Sequence, residues 1–169
     1  MVATPHLEVE SSQEEFRSVM SHFTTGVTIV SALDEDRPVG FTCQSFVSLS
    51  IDPPLISLAP SKTSTSWPRI ARAGIFCVNI LADQQRDLCA AFAKSGGDKF
   101  AGVEWHASPN GAPIIQGSLA WVECELVDAR EAGDHEYVIA RVLELGRNGG
   151  QPLLYFRSQL VAMDAASLL

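Results

Sequence analysis

Positive charge is scarce in this chain. Twelve Lys and Arg stand against 20 Asp and Glu, for a formal net charge of −8. A nucleic-acid surface is therefore not expected, because a phosphate backbone is met by clustered Lys and Arg. Any phosphate-bearing ligand would have to be held locally, by hydroxyls, backbone N–H groups and a few placed cations. Long apolar runs are also missing, so no membrane span is expected. The N-terminal "MVATPHLEVESS" has neither the basic nor the apolar region of a signal peptide, and a cytoplasmic location is the expectation. The four cysteines (Cys43, Cys77, Cys89 and Cys124) form no C-x-x-C and have no His at metal spacing. Buried reduced thiols are expected in place of a disulfide framework or a metal site. The glycine-rich dinucleotide fingerprint, the Walker loop, G-x-S-x-G and H-E-x-x-H are absent too, which removes the common nucleotide and hydrolase signatures.

What remains is globular: 46% hydrophobic and 19% charged residues in 169 positions, enough for one domain with a sizeable core. Ser12 and Glu15 form a capping box ahead of a helix carrying Phe16, Val19, Met20 and Phe23 on one face. Gly26 releases the chain into the β-branched "VTIVSAL", "DEDRP" reads as a turn, and a strand is predicted over Val39 to Ile51. Asp52-Pro53-Pro54 turns a corner into "LISLAP". "SWPRIARAG" reads as a short helix with Ser66 as N-cap and Gly74 closing it. "IFCVNIL" is a strand, and "DQQRDLCAAFAKSGG" a helix capped by Asp83 with Leu88 and Phe92 inward. "DKFAGVEWHASPNGAPIIQGS" reads as irregular, and three strands finish the chain in "LAWVECELVDA", "EYVIARVLEL" and "PLLYF". Six or seven strands with hairpin-length connections, and three helices, predict a mostly β protein: an antiparallel barrel with flanking helices.

The chemistry concentrates in "GFTCQSFVSLSIDPPLISLAPSKTSTSW", Gly40 to Trp67. Ten of its residues are Ser or Thr, five of them in the six positions Ser61 to Ser66, while only Asp52 and Lys62 carry charge. Hydroxyls, one cation and free N–H groups at a helix start can hold an anion; the plain alternative is a solvated loop with a good N-cap. The neighbouring Thr42, Gln44 and Ser45 offer an uncharged polar face to the edge of a planar heterocycle. Ser45 and Phe46 break the strand's alternation, as a bulge does. Gly133-Asp134-His135 forms a turn that presents the best-placed titratable side chain, or else an ordinary exposed His.

Taken in order, "TTGVTIV", "GFTCQSFVSLSIDPPLISLAPSKTSTSW", "FCVNILADQQRDLCAAFA", "DKFAGVEW", "GAPIIQGSLAWVECEL", "GDHEYVIARV" and "PLLYF" resemble the flavin reductase family with an FMN-binding split barrel. These are the reductase components of two-component flavin-dependent monooxygenases. The resemblance runs from about Phe16 to Leu160 and implies an antiparallel split β-barrel. It implies one domain over 1–169, with an N-terminal extension at 1–11 and a C-terminal tail at 161–169.

The resemblance also assigns roles. Thr42 and Ser45, with Cys43 and Gln44 between them, would face the isoalloxazine and ribityl chain. Leu58, Ala59 and Pro60 would line the ring, and Ser64, Thr65 and Ser66 would hold the phosphate end. Phe92, Ala93, Lys99 and Phe100 would meet the phosphate or adenine side. His135 would orient the nicotinamide and is the candidate catalytic residue, with Tyr155 in the same cleft.

The implied activity is hydride transfer from NADH or NADPH to FMN or FAD, with reduced flavin passing to a separate oxygenase acting on an aromatic substrate. A homodimer is implied as well, consistent with apolar character on both faces over Tyr137 to Leu143. Three rivals keep the barrel: a non-catalytic flavin sensor or store, an oxidase of pyridoxamine phosphate type, and a plain interaction module. The second would want arginines at the phosphate, and Arg69 alone is near.

Overall fold

The computed structural model describes residues 12–163. The extension expected over 1–11, and 164–169 of the expected tail, lie outside them. The elements are α1 (Gln13–Met20), β1 (Thr25–Gly26), β2 (Thr28–Asp34), β3 (Arg37–Cys43), β4 (Val47–Ser50), β5 (Leu55–Leu58) and α2 (Trp67–Ala73). Next come β6 (Ile75–Ile80), α3 (Arg86–Ala93), β7 (Trp105–Ala107) and β8 (Pro113–Ile115). The chain ends with β9 (Ala120–Ala132), β10 (His135–Arg147), β11 (Leu153–Phe156) and β12 (Gln159–Ala162).

Seven strands form one sheet in the order β3-β2-β6-β9-β10-β5-β4, and every pairing is antiparallel. Local turn chemistry sets the hairpins. Glu35 and Asp36 both take positive φ (50° and 64°) between Asp34 and Arg37, as a two-residue turn matched to strand twist requires. Gly133, at φ 66°, is the first of two residues between Ala132 and His135. A glycine suits that position because it reaches the left-handed region without strain.

The sheet curls on itself. One buried cluster joins Phe41 and Cys43 of β3 to Ile56 and Leu58 of β5, strands near opposite ends of the sheet, with Val30, Phe76, Val138 and Trp67 between them. Alternate residues of β2 serve two cores: Val30 and Ala32 point into the curl, while Ile29 joins Phe92, Leu81 and Leu153 under α3. Each such buried side chain contributes roughly 1.5–3 kcal/mol. Gly40 is fixed by that second contact, since a Cβ there would lie 2.9 Å from Phe92 Cε1 and 2.9 Å from the Val30 carbonyl.

The predicted strand over Val39 to Ile51 is two strands. β3 and β4 sit on the two outer edges of the sheet, and Gln44–Phe46 cross the gap between them. The alternation breaks at Ser45 because the chain changes edges there, and no bulge is involved. Phe41 and Cys43 are core as expected, but Val47, Leu49 and Ile51 are exposed, Ile51 at 91%.

Other departures are local. Phe16, Val19 and Met20 of α1 are exposed, and Phe23, expected on the same helix face, lies in the bend after the helix ends at Met20 and is exposed too. α3 begins from a 3₁₀ turn over Asp83–Gln85, where Gln85 Oε1 accepts from the Ala82 amide (3.0 Å), so Gln85 and not Asp83 supplies the cap. A short hairpin, β7–β8, lies inside the segment read as irregular, and β12 pairs with β11 where the tail was expected to begin. All four cysteines are free and buried. No described helix is long and apolar enough to cross a membrane, and no described His, Cys, Asp or Glu group could hold a metal ion.

Candidate active site

The gap between β3 and β4 opens a cleft of about 430 Å³. Its floor is the crossing segment. Ser45 Oγ accepts from the Ala59 amide (2.8 Å) and donates to the Ala59 carbonyl (3.2 Å), standing in for a ladder partner across the split. Thr42 Oγ1 donates to the Cys89 carbonyl (2.8 Å), tying β3 to α3. The Cys43 thiol lies 3.3 Å from Ser45 Oγ, and burial pushes its pKa up. It is a packing group, not a thiolate nucleophile.

One wall is the hydroxyl loop after β5. Ser61 Oγ accepts from the Thr63 amide (3.2 Å) and shares a hydrogen bond with Thr63 Oγ1 (2.9 Å). Ser66 holds the N-cap position of α2, but its hydroxyl makes no cap; Ser64 Oγ accepts from the Trp67 amide instead (3.1 Å). Among the described residues no acceptor meets the amides of Thr65 and Ser66. Asp34 anchors the helix behind this loop, accepting from Arg69 Nε (2.6 Å) and from Arg72. Arg69 first, then Arg72, holds the Asp34 carboxyl below the usual carboxylate range.

The β9–β10 turn is stitched to the same loop. Lys62 N donates to the Asp134 carbonyl and Glu136 N to the Pro60 carbonyl, both at 3.0 Å. Trp67 Nε1 donates to Glu136 Oε2 (3.0 Å). His135 is thereby set at the cleft, and its Nδ1–H donates to Asp134 Oδ1 (2.7 Å), which holds the Asp134 carboxyl below its ordinary pKa. That bond orients the ring and leaves Nε2 without a hydrogen bond among the described residues.

Across the cleft, Lys99 Nζ donates to the carbonyls of Phe92 (3.0 Å) and Gly40 (3.2 Å) and reaches Ser66 Oγ at 3.5 Å. Burial lowers its pKa. All three partners are neutral. Lys94 and Lys99 line the cleft together with His135, and no carboxylate does. In a chain of net charge −8, this is a local field built for an anion. An uncharged polar floor, a hydroxyl wall with two free amides and a cation without a counter-ion fit a flat, hydrogen-bonding ring that carries a phosphate.

Of the residues assigned by resemblance, Thr42, Cys43, Gln44, Ser45, Ala59 and Pro60 line this cleft, as do Ser64, Thr65, Phe92, Ala93, Lys99 and His135. Phe92 is wholly buried and contributes its carbonyl, not its ring. Leu58 does not reach the cleft; it belongs to the core inside the curl. Ser66 and Phe100 line an adjoining cavity of about 700 Å³ that shares Thr65 and Lys99 with the cleft. Tyr155 lines a third, apolar cavity of about 920 Å³ under α1, which meets the cleft at Gln44 and Ser45. Tyr155 and His135 therefore do not share one wall. Ser61, Thr63, Lys94 and Ser95 also line the cleft, although the resemblance gives them no role. The first two lie in the same hydroxyl run, and Lys94 and Ser95 follow directly on Phe92 and Ala93, which the resemblance sets at the phosphate side.

A family model described as the flavin reductase like domain matches residues 20–164. The chain belongs to that family. It is 47% identical over 150 residues to the flavin-dependent monooxygenase reductase subunit HsaB of Rhodococcus jostii, covering 88% of this chain and 77% of that protein. Among solved structures it resembles nitrilotriacetate monooxygenase component B from Mycobacterium thermoresistibile, at TM-score 0.90 and 42% identity over 93% of this chain and 89% of that one. It also resembles the Streptomyces globisporus NADH:FAD oxidoreductase SgcE6, solved with NAD and FAD fragments, at TM-score 0.86 and 29% identity over 91% and 94% of the two chains. The open sheet with its cleft between β3 and β4 is thus the flavin reductase fold.

Proposed function

We propose that this chain is an NAD(P)H:flavin oxidoreductase whose product, reduced flavin, serves a separate flavin-dependent monooxygenase. The observation that carries the reading is the carboxylate-free cleft at the sheet's split, with the hydroxyl loop on one side and Lys99 on the other. Bound there, flavin supplies the hydride acceptor, and nicotinamide supplies the hydride. The chain's own part is positional. Thr42 to Ser45 offer hydrogen bonds along a ring edge, and Ser64, Thr65 and Lys99 hold the phosphate end. His135 presents Nε2 at the mouth, where it orients the second ring as a carboxamide partner. Aligning two reactants in this way removes much of the entropic barrier to reaction.

The test is NADH consumption with FMN and with FAD at equal concentration. Steady turnover is expected; a protein that binds flavin but never turns over NADH is a sensor or store. His135→Ala should raise the apparent KM for NADH and leave flavin affinity unchanged, whereas a loss confined to kcat points to proton transfer. Wild-type kinetics in that variant would reduce His135 to a turn residue.

A homodimer in the cytoplasm completes the proposal. Phe16, Val19, Met20 and Phe23, together with Val47, Leu49 and Ile51, expose more apolar surface than scattered singletons explain. Sedimentation at micromolar concentration should report a dimer, and a monomer would refute this part.

A further inference from the structure

We propose that Trp105 is a positioning residue for flavin binding: it latches the segment that carries Lys99, and so sets where that ammonium meets the flavin phosphate. The proposal rests on the flavin reading of the cleft. Lys99 sits in a segment with few anchors. Between Phe92 and Ser108 one residue, Phe100, is buried. From Gly96 to Val103 the backbone hydrogen bonds among the described residues are local, from the Ala101 amide to Asp98 and from the Val103 amide to Phe100. Gly96, Gly97 and Gly102 take positive φ (77°, 73° and 74°) on either side of the lysine, and glycine is the residue with most backbone freedom to lose. Such a segment opens readily unless its buried side chain is gripped.

Phe100 supplies the grip. Its ring meets two others edge to face, with centroids 4.9 Å from Phe92 and 6.4 Å from Trp105, a favoured arrangement for aromatic pairs. Phe92 is wholly buried in the core beneath α3, so that side of the seat is fixed. Trp105, half-buried on β7, supplies the other side. Phe100 follows Lys99 directly. A shift of its ring therefore draws the ammonium away from the Phe92 and Gly40 carbonyls and the Ser66 hydroxyl.

The β7–β8 hairpin is tied down more firmly than a surface excursion needs. Glu123 of β9 is wholly buried and makes no ion pair among the described residues. It accepts from Ser108 Oγ and from the Asn110 amide (3.2 Å) and Nδ2 (2.9 Å) in the hairpin's turn. At the open end, Asn79 of β6 accepts at Oδ1 from the Ile115 amide (2.8 Å), and Ser31 of β2 donates to the Pro113 carbonyl (2.7 Å). Ile115 is the cross-strand neighbour of Trp105. A satisfied buried network fixes one arrangement where apolar packing alone tolerates several. Three strands of the sheet thus hold the hairpin, and the hairpin holds Trp105 against Phe100.

The experiment is calorimetric binding of FMN and of riboflavin, which lacks the phosphate, to the wild type and to Trp105→Leu, Trp105→Phe and Lys99→Met. Neither probe carries a second nucleotide that could touch Trp105 through the adjoining cavity. Trp105→Leu should bind FMN about tenfold more weakly, part of the worth of one charge-assisted hydrogen bond, and riboflavin as the wild type does. Trp105→Met fills more of the gap and carries the same expectation where Trp105→Leu does not fold. Trp105→Phe keeps an aromatic edge for Phe100 and should recover most of the FMN affinity. Trp105→Leu combined with Lys99→Met should bind FMN no more weakly than Lys99→Met alone, because both remove one interaction. In turnover, Trp105→Leu should raise the KM for FMN and leave kcat at saturating FMN in place. Equal losses for FMN and riboflavin overturn the proposal, since the ring's seat has then changed and not the phosphate contact. Additive losses in the double variant overturn it too, as does wild-type FMN affinity in Trp105→Leu. A wild type that binds neither flavin overturns the flavin reading itself.

Discussion

Ser45 Oγ occupies both hydrogen-bonding groups of Ala59, accepting from its amide at 2.8 Å and donating to its carbonyl at 3.2 Å. One hydroxyl thus replaces the missing neighbour strand at the split. Ser45→Ala leaves two backbone groups without that partner, at a cost of about 1 kcal/mol after water takes over. Chemical denaturation should show that loss, together with weaker flavin binding because the floor loosens. If flavin affinity is untouched, Ser45 is a structural staple only.

Ser64 and Ser66 separate two effects. The cap hydrogen bond of α2 belongs to Ser64, so Ser64→Ala should lose about 1 kcal/mol of stability. Ser66 makes no cap, and Ser66→Ala should melt close to wild type. The double variant should bind flavin more weakly by about 1–3 kcal/mol. Equal melting losses in the two single variants would contradict the observed capping.

Lys99 links flavin affinity to pH. Burial favours its neutral form, whereas a phosphate favours the charged one. Affinity should therefore weaken as pH rises through the lowered Lys99 pKa, earlier than an ordinary lysine would allow. Lys99→Met should weaken flavin binding by about 2 kcal/mol and flatten that profile. A Lys99→Met protein with the wild-type pH profile assigns the titration elsewhere.

Asp34 predicts an acid-sensitive component of stability. Its folded pKa is depressed by Arg69 and Arg72, so the contribution is complete above the unfolded carboxylate value of about 3.9. It is lost as pH falls through the folded value. Melting temperature followed from pH 7 downward should fall most steeply below that point, and Asp34→Asn should reduce the slope. An unchanged slope in the variant would place the acid sensitivity in other carboxylates.

Short-range physics governs the features that the order of residues alone reveals. Helix starts, the turns at Glu35-Asp36 and Gly133-Asp134, and the period-two runs all depend on neighbours within a few residues. Chemical type is legible there too: the Ser61–Ser66 hydroxyl run and the uncharged Thr42–Ser45 face point to a neutral, hydrogen-bonding site for a phosphate-bearing ring. Which faces lie inside is a matter for the folded chain. Val47, Leu49 and Ile51 continue the alternation of Phe41 and Cys43, yet they are exposed because the chain leaves one edge of the sheet and joins the other. The fold also sends Leu58 to the core and Tyr155 to a separate cavity, and it sets Lys99 against Gly40, 59 residues away in sequence. Such contacts depend on how the sheet curls and where α3 lands, which is the sum of packing over the whole chain.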